Sequence, residues 1–115
     1  MKYIKKFENI KEIQVGDYVI CDEGYLLISD DDFDYFLRNN VGKCINIVGS
    51  EYIIEYKNIP SNIENYFRFD RNGSYNNLNP WNITNCRRMD ISEIIFHSEN
   101  KEDCEAYISA NKYNL

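Results

Sequence analysis

An acidic segment is the first part of the chain whose side chains could carry chemistry. Between Asp17 and Asp34 the sequence has seven carboxylates and neither lysine nor arginine. Clustered carboxylates attract a cationic partner and speed its encounter. The segment therefore predicts an anionic surface that binds a basic protein, with the candidate contact residues Asp22, Glu23, Asp30, Asp31, Asp32 and Asp34.

The same aspartates also have a purely structural interpretation. Phe33, Phe36 and Leu37 lie at helical spacing, and carboxylates just before such a turn cap it and complement the helix dipole. In this interpretation Asp30–Asp32 cap a helix and the other acids are solvated. A calcium loop is not indicated, because it needs alternating acids, a central glycine and a final glutamate.

A basic and aromatic segment is the second candidate. Between Lys57 and Arg88 five bases face two acids, a local charge of +3. Arginines interleaved with aromatic rings can follow a phosphate backbone while bases stack. This hypothesis gives a nucleic-acid-binding surface formed by Arg68, Arg71, Trp81, Arg87 and Arg88. Alternatively, the arginines pair with local acids. The net charge of −6 opposes generic nucleic-acid binding, which is typical of strongly basic domains.

Catalytic, cofactor and metal motifs are not recognisable in the sequence. His97 is the one histidine and follows an apolar run, as expected of a strand end. The four cysteines are widely separated, whereas structural zinc sites usually use closely spaced pairs, so free buried thiols are expected. No glycine-rich loop offers a phosphate cradle. We therefore expect a non-enzymatic protein with no catalytic residues, no metal site and no cofactor.

Length and composition predict a single domain over residues 1–115. Of the 115 residues, 43% are hydrophobic and 15% are aromatic, which is enough for a packed core. No segment approaches the ~20 apolar residues of a membrane span, and the start lacks the pattern of a signal peptide. A cytoplasmic protein without a membrane partner is the expectation.

The elements that would position these candidates are mainly strands. Alternation predicts a first strand over Val15–Cys21, covered on both faces. Gly49-Ser50 separates two apolar runs, which predicts a hairpin over residues 43–57 with a type II′ turn. Two short strands, Cys86–Met89 and Glu93–His97, are expected around a tight turn through Asp90-Ile91-Ser92.

Helical and irregular elements complete the interpretation. One or two helical turns are expected after the aspartates, ending at Asn39-Asn40. Ser61–Glu64 has capping-box form and predicts a brief helical turn. Residues 70–82 are rich in Asn and Gly, which indicates an exposed, mobile loop. Asn100 can cap a C-terminal helix over about 100–111, with Cys104, Tyr107 and Ile108 as its apolar stripe.

The order of these elements resembles that of SH3-like barrels. The resemblance rests on Val15–Val19, Val41-Gly42-Lys43, Tyr52–Tyr56 and Glu93–Phe96. In that family Gly-Asp begins the first strand and a tight turn precedes the last one. The predicted fold class is thus mainly β with minor α: an SH3-like β-barrel with a short inserted helical turn and a C-terminal helix. The segment Asn100–Asn114 resembles small proteins of phages and prophages.

What the resemblance implies is a non-enzymatic binding module of a phage or mobile element. Such proteins often inhibit host machinery, so the expected partner is a host protein, with an anti-CRISPR-like inhibitor of a defence effector as the most specific form. Two alternatives remain: a small nucleic-acid-binding barrel, and an immunity protein against a cognate toxin. SH3-like barrels serve many unrelated partners, so the fold alone does not decide between these functions.

Overall fold

The structure is a computed structural model that describes residues 12–24, 30–75 and 84–113. Within these ranges, five strands and two α-helices form in chain order, with a 3₁₀ helix at each of two connections. Their bounds are β1 Tyr18–Cys21, α1 Asp31–Asn39, β2 Gly42–Val48, β3 Glu51–Glu55, a 3₁₀ helix Ser61–Tyr66, β4 Cys86–Asp90, a 3₁₀ helix Ile91–Glu93, β5 Ile94–Ser98 and α2 Lys101–Tyr113.

The strands form one antiparallel sheet in the order β4-β3-β2-β1-β5. β1 lies between β2 and β5, and its residue Tyr18 is paired with Ser98 of the last strand. β4 and β5 are the two edges, and within the described ranges no ladder joins them. The fold is therefore mainly β with minor α, as predicted, and the sheet is open.

The core lies where α1 and the first 3₁₀ helix meet one face of the sheet. Phe33, Phe36 and Leu37 of α1 are buried, at the predicted helical spacing. The ring of Phe36 packs 5.5 Å from that of Tyr56, and both rings lie against Phe67 at 5.9 and 5.6 Å between centroids. This aromatic cluster fixes α1 on the sheet and so fixes the carboxylates at its start.

Several predicted elements are confirmed. β2 and β3 pair through a two-residue turn in which Gly49 has φ +63°, the sign that a type II′ turn requires at its first position. α1 begins after Asp30 and ends at Asn39 with Asn40 as C-cap. α2 has Cys104 buried and Tyr107 and Ile108 partly buried, which is the predicted stripe.

Other boundaries differ from the predictions. β1 begins at Tyr18 rather than Val15, because Gly16 has φ +101° and the chain turns there. The helical turn at Ser61 is present, but Pro60 is its N-cap and no side chain caps it, so the predicted capping box is wrong. A capping box forms instead between Asp90 and Glu93, around the turn that precedes β5.

The predicted exposed loop over residues 70–82 is largely exposed in its described part, but its backbone is hydrogen-bonded and Gly73 packs on the sheet. Asp70 accepts hydrogen bonds from the backbone N–H groups of Asn72 and Ser74. Gly73 is buried, and a Cβ there would lie 3.1 Å from side-chain carbons of both Ile53 and Val48. Residues 70–75 therefore cover the outer face of β3, whereas residues 76–83 lie outside the described residues.

Candidate functional site

The six predicted contact acids lie together, and we call Asp22, Glu23, Asp30, Asp31, Asp32 and Asp34 the acidic array. The end of β1 and the start of α1 bring them close. The backbone N–H of Glu23 donates to Asp34 Oδ1 at 3.0 Å, and the backbone N–H of Asp30 donates to Glu23 Oε2 at 3.0 Å. Two carboxylates of the array thus join a strand to a helix.

Asp30 is the most firmly held member of the acidic array. Its side chain accepts from the backbone N–H of Phe33 at 3.1 Å, as an N-cap does, and from the hydroxyl of Tyr66 at 2.9 Å. The Tyr66 ring stacks on Phe33 with 4.0 Å between centroids. These hydrogen bonds, first that from Phe33, lower the pKa of Asp30, so this carboxylate remains ionised.

Among the described residues, Arg38 is the one cation that forms ion pairs within the acidic array. Its guanidinium lies 2.8 Å from Asp34 and 3.3 Å from Asp22. The spacing of the first pair is a recognisable signal, since Asp34 and Arg38 are four positions apart on one helix. The array therefore holds six carboxylates against one paired guanidinium among the described residues, and it stays strongly negative.

Asp31 and Asp32 are the exposed members of the acidic array. Asp32 accepts a hydrogen bond from the side-chain amide of Asn62 at 2.9 Å. The carboxylate of Asp31 has no partner within the described ranges. The structural interpretation is confirmed for Asp30, which caps α1, whereas the binding of a partner by the exposed Asp31 and Asp32 stays a prediction.

The predicted nucleic-acid-binding arginines are not brought onto one surface. Arg87 and Arg88 are adjacent in β4, so their side chains leave on opposite faces of the sheet. Arg88 pairs with Glu51 and donates to the carbonyl of Gly73 at 3.0 Å. Arg71 pairs with Glu55 at 2.7 Å. These cations are neutralised by neighbouring carboxylates, as the alternative interpretation expected.

Arg87 lies in the interior rather than on a binding surface. Its guanidinium carbon is 4.9 Å from the Phe33 ring centroid, and its Nη2 is 3.7 Å from Glu93 Oε2. Only 15% of each of these two charged side chains is exposed. Arg68 is partly buried, and Trp81 lies outside the described residues. A phosphate-binding track is therefore not supported by the described arginines.

Glu93 extends this buried polar group. Its Oε1 accepts from the backbone N–H of Asp90 at 2.9 Å, whereas its Oε2, the Nε of Arg87 and the hydroxyl of Tyr56 are buried without a hydrogen-bond partner in the described part of the chain. Burial raises the pKa of Glu93, although the hydrogen bond and Arg87 oppose that shift. This group is a structural element that links β4 to α1.

The described residues that could act as nucleophiles or metal ligands do not form a cluster. The four cysteines are free and buried, in line with the predicted thiols; burial raises the pKa of Cys21 to about 12 and that of Cys104 to about 11. Such thiols are poor nucleophiles. His97 is partly buried in β5, opposite Val19. Within residues 12–24, 30–75 and 84–113, no group of three His, Cys, Asp or Glu residues could hold a metal ion.

Comparisons with known proteins add no further assignment. Neither a family model nor a curated protein nor a solved structure matches the chain. Of the helices in the described ranges, none is long and apolar enough to cross a membrane. The physical properties of the surfaces must therefore carry the functional conclusion.

Proposed function

We propose that the protein is a non-enzymatic accessory protein of a phage or mobile element that binds a basic host protein through the acidic array. Its most specific form is an anti-CRISPR-like inhibitor of a host defence effector. The observation that carries the proposal is the fixed geometry of the array, in which Asp34 accepts from the backbone N–H of Glu23 and Asp30 accepts from the backbone N–H of Phe33 and the hydroxyl of Tyr66. The resemblance to small phage proteins supplies the biological setting.

Fixed carboxylates favour binding for a physical reason. A side chain that is already ordered loses little conformational entropy when a partner arrives, and this loss otherwise costs about 0.5–1.5 kcal/mol for each immobilised side chain. Most of the negative charge of the array is also left unneutralised, since Arg38 is the one described cation that pairs with its carboxylates. A protein whose groove binds nucleic acid presents the complementary positive surface.

We also propose that the fold is an SH3-like barrel, of which the open sheet is the described part. Two features support this. β1 begins directly after Gly16-Asp17, and the single 3₁₀ turn Ile91–Glu93 precedes the last strand, as the resemblance implies. A solution structure that includes residues 1–11, 25–29 and 76–83 tests it. An open sheet with unrelated packing at both edges would contradict it.

The structure sharpens the test of the binding surface. Replacing Asp30 or Asp34 would also remove hydrogen bonds that hold α1, so a loss of binding would be ambiguous. Asp31→Lys together with Asp32→Lys changes the two exposed carboxylates; it removes the hydrogen bond that the side-chain amide of Asn62 donates to Asp32 but keeps those made by Asp30 and Asp34. Glu99→Lys together with Glu102→Lys is the matched control, since these acids are exposed at the start of α2 and the change in charge is equal.

The experiment compares proteins captured by the three tagged forms in the organism that carries the gene. We expect at least one basic protein to be recovered about tenfold less with the Asp31, Asp32 variant, a loss of ~1.4 kcal/mol, and equally with wild type and the control. If that protein is a defence nuclease, expression should restore phage plaquing on a strain that relies on it. A partner set indifferent to Asp31 and Asp32 would overturn the proposal, and capture of a toxin encoded by the neighbouring gene would identify an immunity protein.

A further inference from the structure

A second charged surface lies beyond the C-terminal end of α1. Two adjoining grooves open there, with volumes of about 490 and 580 Å³. They share Asn39 and Ile108, so they form one continuous depression between α1, the start of β2 and α2. We call this depression the lysine groove, after its four lysines Lys43, Lys57, Lys101 and Lys112.

The lysine groove gathers every lysine in the described part of the chain. These residues are widely separated in sequence, and the antiparallel topology and the return of α2 bring them to one side. All four are exposed. None of them forms an ion pair with another described residue, and only Lys43 has a ring contact, at 5.6 Å from the Tyr18 centroid. Their charge is therefore available to a partner.

Apolar and aromatic side chains line the same groove. Tyr35 is 68% exposed and faces Tyr107 and Ile108 of α2 across the second lobe. Tyr107 is held in place by stacking on Phe96, with 4.6 Å between ring centroids. Cys104 is the one α2 side chain in the range 101–112 that is fully buried, so most of this helix remains open. Apolar anchors beside unpaired cations are typical of a protein-docking surface.

We propose that the lysine groove docks an acidic, extended peptide segment of a partner protein. The positive rim would pair with carboxylates of the segment, and the lobe at Tyr35 and Ile108 would take an apolar side chain. This surface adjoins the acidic array at Arg38, which lines the second lobe and pairs with Asp34 and Asp22, and it adds a second contact to the proposed function. A partner with both a basic and an acidic region could engage the two surfaces together.

The same observations favour a peptide over a nucleic acid. Arg38 lines the second lobe of the groove, but its guanidinium is already paired with Asp34 and Asp22, so it is not free to form a bidentate fork with a phosphate. The Tyr107 ring is already stacked on Phe96, which occupies one of its faces. Glu105 lines the groove, and the net charge of −6 repels a long polyanion. A short acidic segment meets only the local positive field.

The test measures binding by fluorescence anisotropy at low salt with the full-length protein. The probe is a short fluorescein-labelled peptide that alternates glutamate with leucine. The variant K43Q/K57Q/K101Q/K112Q should weaken binding at least about tenfold, whereas K43R/K57R/K101R/K112R, which keeps all four charges, should stay within about threefold of wild type. Circular dichroism establishes that both variants are folded.

Three further measurements complete the test. A lysine-leucine peptide of equal length should not bind, and an oligothymidylate of similar length should bind more weakly than the acidic peptide. Amide chemical shifts of Asn39, Lys43 and Ile108 should move on titration, whereas those of Asp31 and Asp32 should not. The Asp31, Asp32 variant should retain peptide binding, so failure of the acidic array and failure of the groove are distinguished.

Each contrary outcome is decisive. The docking site is excluded if wild type does not bind the acidic peptide, or if the glutamine variant binds as tightly as wild type. Tighter binding of the oligothymidylate, with a steep loss on adding salt, would instead assign the groove to nucleic acid.

Discussion

Three arginines with glutamate partners and the four lysines of the groove carry the same sign of charge but differ in their surroundings. Arg71, Arg87 and Arg88 each lie within ion-pairing distance of a glutamate. The four lysines of the groove have no such partner in the described ranges. Arginine therefore serves here to join strands and loops, and lysine remains at the surface, where its charge is exposed to other molecules.

This difference teaches how to locate an interaction surface. Arg87 and Arg88 are neighbours in sequence, yet alternation sends them to opposite faces and each meets an acid. Lys43 and Lys112 are far apart in sequence, yet the topology brings them into one depression. A cluster of like charges in a sequence can therefore indicate internal ion pairs as readily as a surface that binds a partner.

The largest expected effect on the free energy of unfolding is at Arg87. Arg87→Ala removes a guanidinium packed on Phe33 and leaves Glu93 buried without its cation, which should cost roughly 3 kcal/mol of unfolding free energy. Urea denaturation measures it. Arg87→Met combined with Glu93→Gln removes both charges and keeps volume, so it should be less destabilising than Arg87→Ala. Equal losses would show that the ion pair has no special role.

The next largest effect on stability is expected at Gly42, which lies between the lysine groove and the core. Gly42 lines the lysine groove, and a Cβ there would lie 2.5 Å from Ile54 Cγ2 and 2.8 Å from Tyr56 Cζ. Gly42→Ala should therefore cost about 1–3 kcal/mol through overpacking, seen as a lower Tm. Gly49→Ala is a useful contrast, because nothing lies within 4 Å of a Cβ there and only its positive φ is strained.

A pH dependence of stability follows from the buried carboxyl of Glu93, the partner of Arg87. Burial raises the folded pKa of Glu93 above its ordinary value of 4.5. The folded state then binds more protons than the unfolded state, so its contribution to stability is complete below pH 4.5 and is lost as pH rises through the folded pKa. Asp90, Glu51 and Arg87 face the same carboxyl and persist in Glu93→Gln. In urea titrations at successive pH values, the free energy of unfolding of that variant should no longer decline over this pH range. An unchanged decline would show that a group other than Glu93 causes it.

The smallest effects distinguish exposed cations that are paired from those that are not. Arg71→Gln removes an exposed ion pair with Glu55 and should cost about 0.2–1 kcal/mol, less at high salt. Lys57→Gln should change unfolding free energy by no more than about 0.5 kcal/mol. If Lys57→Gln were the more destabilising of the two, the lysine would have a structural partner and the distinction would fail.

Much of the fold could be predicted from local sequence patterns. Gly49-Ser50 defines the hairpin, and the spacing of Phe33, Phe36 and Leu37 defines α1, because both depend on residues close in sequence. The N-cap role of Asp30 was predictable for the same reason. The start of β1 was not, since alternation continues through Val15 while the positive φ of Gly16 turns the chain.

The sites were less predictable because they depend on long-range neighbours. The acidic array was visible as a run of carboxylates. Its hydrogen bonds with Tyr66 and Asn62 were not predictable, because they join segments distant in sequence. The capping box at Asp90 and Glu93 had a signal, an aspartate three residues before a glutamate, which was interpreted only as a tight turn. The lysine groove had no local signal, since only the sheet order and α2 assemble it.

The pairing of β1 with both β2 and β5 has a consequence for synthesis of the protein. A ribosome makes β1 early and β5 almost last among the described elements, so one edge of β1 stays unpaired until β5 has been made. Folding should therefore be slow and largely post-translational, as for other sheets with long-range pairing. A product truncated before β5 would expose the apolar residues of β1 along an open edge, and it should aggregate or be degraded rather than persist as a partly active fragment.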